Sequence, residues 1–146
     1  MKILLAVDGS PYTKRMLAYL AAHDDWLGAQ HEYTLVHVVA PVPARAAAAL
    51  DKATLESYYD DSGEKVLEPI RKFFDRRGWK TTFVVRVGPA AQAIVALAAK
   101  GGHDLIVMGD SGMTWHLYDV GTSGVWRRHD TAIANGSVDG NGIVLT

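Results

Sequence analysis

The chain has 146 residues, 49% of them hydrophobic and 21% charged, with a formal net charge of −1 and no cysteine. That length suits one ordinary domain with a full core, and the near-neutral balance offers no basic stripe for a polyanion, so nucleic acid is not an expected partner. The lack of cysteine removes disulfides, thiolate metal sites and thiol nucleophiles, and it agrees with a reducing compartment.

Lys2 to Val7 is an apolar run without alternation that ends at Asp8-Gly9-Ser10. Such a run reads as a strand buried on both faces of a parallel sheet. Ser10 and Pro11 then open a helix, with Ser at the N-cap and Pro at the first helical position, where its missing N–H costs nothing. Met16, Leu17, Leu20 and Ala21 recur at helical spacing behind it. Tyr33 to Val39 reads as a second strand, stopped by Pro41 and Pro43. The segment Ala44 to Arg77 carries the helix-like set Leu50, Leu55, Tyr58, Tyr59, Val66, Leu67, Ile70, Phe73 and Phe74, with Gly63 and Pro69 as candidate breaks. Thr81 to Val87 is a third strand, Gly88-Pro89 opens a helix through Ala99 that Gly101-Gly102 closes, and Asp104 to Met108 is a fourth strand. Strands alternating with helices in this way predict right-handed βαβ units and a parallel sheet.

From Gly109 onward the pattern weakens. Gly, Asn, Asp, Ser and Thr crowd the segment, Val125, Trp126, Ala132 and Ile133 form no helical stripe, and only Gly142 to Leu145 reads as a strand. Few periodic apolar residues leave little burial to offset ordering entropy, so low order is expected there. The chain is read as a single domain over residues 1–146 with an atypical C-terminal segment, 113–146. No apolar run approaches the ~20 residues of a membrane span, and the chain opens into a strand rather than a leader, so neither insertion nor export is expected.

Ligands of open parallel sheets bind at the carboxyl edge of the strands. There the sequence places a carboxylate (Asp8), hydroxyls (Ser10, Ser111) and glycine backbone (Gly109, Gly112), a set suited to a nucleotide. The six histidines are scattered with no metal-ligand spacing, and His37 reads as a packed strand residue. Ser111, His116 and Asp119 lack a nucleophile elbow, and no P-loop is present, so no catalytic residue and no metal ligand is assigned.

Val7-Asp8-Gly9-Ser10 after the first strand, His37-Val38-Val39 ending the second, Gly88 before the third helix and His103-Asp104-Leu105-Ile106-Val107-Met108-Gly109 together resemble the universal stress protein family. The resemblance runs over residues 1–112. It implies a doubly wound open α/β sheet of five parallel strands with helices on both faces, a homodimer, and a cytoplasmic location. In members that bind nucleotide it implies ATP, with Mg2+ as its companion, held by a G-x2-G-x9-G-[ST] stretch after the fourth strand. On that resemblance Asp8 meets ribose or adenine, the Val38 backbone meets adenine, Gly109 and Gly112 let the backbone approach the ligand, and Gly121, Thr122 and Ser123 meet the phosphates. The spacing departs from the family's: Gly121-Thr122 follows Gly112 after eight residues, and strict spacing puts Thr122 and Ser123 at the last two motif positions. The family's following amphipathic helix and apolar last strand are not evident between Val125 and Thr146. The expected function is adenine nucleotide binding in a stress or signalling role without dedicated catalysis. The alternatives are a nucleotide-free dimeric interaction module of the same family and, more distantly, a small-molecule hydrolase or transferase.

Overall fold

The computed structural model describes residues 1–109 and, beyond them, the strand segments 115–120, 126–129, 136–139 and 142–145. The elements run β1 (Lys2–Ala6), α1 (Pro11–Ala22), α2 (Asp24–Leu27), β2 (Glu32–Val39), α3 (Ala44–Ala47), α4 (Lys52–Arg77), β3 (Thr81–Val87), α5 (Ala90–Gly101) and β4 (Leu105–Gly109). The four strands pair in parallel in the order β3-β2-β1-β4. The chain therefore winds outward from β1 to β3 and then crosses back to β4, and the reversal falls between β1 and β4.

Successive strand residues point to opposite faces, and the core divides accordingly. Ile3, Leu5, Leu35, Leu105 and Val107 face α1 and α4, meeting Met16, Leu20, Leu67, Ile70 and Phe74. Leu4, Val36 and Ile106 face the other way and meet Ile94 and Ala98 of α5. Ile3, Leu4 and Leu5 are all fully buried, as an unalternating apolar strand covered on both sides should be. Ser10 stands at the N-cap of α1 as the sequence implies, but its side chain makes no capping bond; Pro11 supplies the helical start.

Neither candidate break interrupts α4. Asp51 caps it by accepting from the Thr54 amide at 2.6 Å, and Gly78 closes it in the left-handed conformation. Pro69 forfeits the bond to the Lys65 carbonyl, worth about 3 kcal/mol in a helix interior. Burial of Leu67, Ile70 and Phe74, each contributing about 1.5–3 kcal/mol, outweighs that loss. Gly63 is buried where α4 crosses β3, and an added Cβ would overlap the Val85 side chain. At the opposite end of the sheet Tyr33 stacks on Trp79 with centroids 5.1 Å apart, and its hydroxyl serves the Leu27 and Gly28 carbonyls.

The five-strand parallel expectation needs correction at its last strand. What flanks β4 is β5 (Trp115–Val120), running antiparallel to it, and β6 (Trp126–His129) continues antiparallel, giving a six-stranded sheet. Five residues join β4 to β5, enough for a reversal but not for the dozen or more that a parallel crossover requires. Gly142 to Leu145 is a strand, β8, but it pairs with β7 (Gly136–Asp139) in a separate two-stranded sheet. The expectation of low order in 113–146 falls partly outside the described residues. Among those described, no helix is long and apolar enough to cross a membrane.

Gly63 yields a direct test. Replacing an interior helix Gly by Ala ordinarily stabilises by up to about 1 kcal/mol, but here the new methyl meets a stiff β-branched side chain, and overpacking costs about 1–3 kcal/mol. Urea unfolding of Gly63→Ala should show net loss of stability; a gain would contradict the close approach of α4 to β3.

Candidate functional site

The site begins where the β1–β2 ladder stops. The last pairing is Ala6 with Val36, followed by one bond from the Val7 amide to the Val36 carbonyl at 3.0 Å. In a parallel ladder, alternate residues turn their backbone groups to the same neighbour. Val36 faces β1, so Val38 does too, whereas Val39 faces the β3 side, where its carbonyl accepts from Gly88 at 3.2 Å. One more ladder bond would run from the Val38 amide to the Val7 carbonyl. That carbonyl instead lies 2.8 Å from His37 Nδ1; a carbonyl only accepts, so the ring proton sits on Nδ1. The backbone N–H and C=O of Val38 consequently point past the end of β1.

Asp8 is fixed at the same edge by a turn leading into α1. Its Oδ1 accepts from the Ser10 amide and the Thr13 hydroxyl, both at 2.9 Å, while its own amide reaches Thr13 Oγ1 at 3.2 Å. Thr13 is buried, yet the Asp8 residue remains exposed. Partial burial pushes the Asp8 carboxyl up, but the donors from Ser10 and Thr13 prevail and hold it below the ordinary carboxylate range. Asp8 is thus an ionised, pre-oriented acceptor.

Between these features lies a cleft of about 170 Å³, with Asp8, Val38, Ile94 of α5 and Met108 of β4 in its walls. Gly109 follows Met108 at the end of β4, next to β1 across the reversal. Of the residues implicated by sequence, Asp8, Val38 and Gly109 therefore gather on one edge. Gly112, Gly121, Thr122 and Ser123 lie outside the described residues. Thr13 and His37 are the residues that sequence reasoning missed. Thr13 carried a signal, a hydroxyl one helical turn into α1 and five residues after a carboxylate. His37 carried none beyond its place beside Val38, because a strand histidine bonded to a neighbouring carbonyl looks like any packed one. Among the described residues no three histidine, aspartate or glutamate side chains gather as a metal site.

The Asp8 network predicts a titration. A carboxyl held low stabilises the fold above its unfolded-state pKa, and that contribution is lost as pH falls through the folded-state value. Removing the Thr13 donor in Thr13→Val should move the Asp8 titration upward, followed by its side-chain carboxyl resonance, and shrink this acid-side loss. An unmoved Asp8 titration would show that the hydroxyl does not hold it.

The geometry can be set beside known proteins. The model of the universal stress protein family matches residues 1–119. A universal stress protein family member from Burkholderia pseudomallei superposes with a TM-score of 0.59 at 26% identity, covering 77% of this chain and 83% of that one. A family protein from Arabidopsis thaliana, solved with AMP bound, superposes with a TM-score of 0.58 at 17% identity, covering 77% and 78%; at that identity the likeness speaks for the fold. No curated protein matches. The family match spans most of the chain and the same parallel sheet underlies both superpositions, so the chain belongs to the universal stress protein family.

Proposed function

We propose that this protein binds an adenine nucleotide, ATP, at the carboxyl edge of β1, β2 and β4, and acts in stress response or signalling through binding rather than dedicated catalysis. The observation that carries the reading is the pairing of Val38 backbone groups turned past the end of β1 with the ionised Asp8 carboxylate across a narrow cleft. A flat heteroaromatic base needs a donor and an acceptor at its edge, and one strand residue supplies both; a ribose needs an acceptor for its hydroxyls, and Asp8 is one. At about 170 Å³ the cleft is below the ~300 Å³ at which whole small-molecule pockets begin. It suits the base, with ribose and phosphates lying along the edge toward Gly109. The AMP held by the Arabidopsis relative agrees with this reading. On the same reading Gly112, Gly121, Thr122 and Ser123 meet the phosphates, Mg2+ accompanies ATP, and the protein works as a cytoplasmic homodimer.

Calorimetric titration with ATP, AMP and adenosine tests the proposal. All three should bind, and Asp8→Ala should weaken each roughly tenfold or more, since a hydrogen bond to a charged acceptor contributes about 1.5–3 kcal/mol. ATP should exceed adenosine if the shortened glycine stretch holds phosphates, because charge-assisted bonds add to the adenosine contacts. Unchanged affinity in a folded Asp8→Ala variant, or no binding by the parent chain, would overturn the reading.

A further inference from the structure

On the face of the sheet covered by α1 and α4 lies a second hollow, a groove of about 620 Å³ between the two helices, within the range of small-molecule sites. Both helices follow strands that end at the carboxyl edge, and a Cβ on Gly9 in the edge turn would meet Val66, so residue number along each helix increases away from that edge. Nearest the edge stand Thr13, Lys14 and Lys65; farther along come Leu17, Ile70 and Phe73. Lys65 and Phe73 are eight residues apart, about 12 Å of helical rise. The groove is therefore polar at one end and apolar beyond it as far as Phe73, whose ring carries the Arg77 guanidinium 4.1 Å from its centroid.

The lysines are uncommitted. On α4 Glu64 is taken by Arg71 at 2.8 Å and Glu68 by Lys72 at 3.7 Å. Among the described residues neither Lys14 nor Lys65 makes an ion pair or a side-chain hydrogen bond. Asp8 reaches the mouth of the groove and is itself ionised. Two cations and one anion leave a surplus of one positive charge, which a singly charged head neutralises.

From this polarity and this charge balance we propose that the α1–α4 groove is a second ligand site, for an amphipathic monocarboxylate of the medium-chain fatty-acid type. The carboxylate sits between the Lys14 and Lys65 ammonium groups and the chain lies over Leu17, Ile70 and Phe73. The site lies on the other side of Asp8, the one residue it shares with the nucleotide reading, and uses neither Val38 nor Gly109.

Calorimetry on the full chain with octanoate, 1-octanol and octylammonium tests it. Octanoate should bind saturably, at least about tenfold more tightly than the alcohol, and octylammonium more weakly still, because charge-assisted bonds distinguish the head. Lys14→Met with Lys65→Met should erase the preference for octanoate over octanol. Ala18→Trp, which places a large ring in the groove wall, should weaken both at least tenfold. All three positions are exposed, and an unchanged thermal melt confirms folding; Lys65→Glu serves as a second charge variant. No saturable octanoate binding, equal affinity for octanoate and octanol, indifference to these substitutions, or stoichiometric displacement of octanoate by AMP would each overturn the proposal.

Discussion

The hydrogen bond from His37 to the Val7 carbonyl determines what the carboxyl edge can offer. A backbone carbonyl at the end of a buried strand must be satisfied, and in an uninterrupted ladder it would be satisfied by the next strand's amide. Here a side chain takes that role, so the main chain of Val38 is released while no buried acceptor is left bare. Pairing with β3 continues to Val39 after pairing with β1 has ended, which keeps Val38 rigid although one side is open. A free strand end would fray; this one is held from its other side.

Rigidity at the edge comes from burial below it. β1 is enclosed between α1 and α4 on one face and α5 on the other, so Asp8 emerges from a strand whose preceding side chains cannot move without opening the core. The Ser10 and Thr13 donors then set the carboxylate's direction within two turns of chain. Orientation is thereby settled in the free protein and need not be established when a ligand arrives, which lowers the ordering cost of binding. The same turn separates two hollows of different character, a narrow cleft beside α5 and a wide groove between α1 and α4, and Asp8 borders both.

The first 109 residues were legible because their physics is local. Val7, Pro11, Gly88 and Gly101-Gly102 mark strand and helix ends by chemistry that acts within a few residues, and the unalternating runs around Leu4 and Ile106 announce a sheet covered on both faces. Gly63 and Pro69 misled as possible breaks because the burial that overrides them comes from strands distant in sequence. Asp8 was legible at the edge from the strand that precedes it, and Val38 only through resemblance. The release of the Val38 backbone depends on register and on a histidine rotamer, neither of which a linear pattern encodes. The reversal after β4 turned on a connection length that composition alone did not reveal.

The measurement closest to the central claim is an amide chemical-shift map of the isotopically labelled chain under saturating AMP. The account predicts that the largest perturbations fall on Asp8, Gly9, Val38 and Gly109, with Lys65 and Phe73 in the other hollow left nearly still. Saturable AMP binding that leaves the Val38 and Asp8 amides unmoved would contradict it.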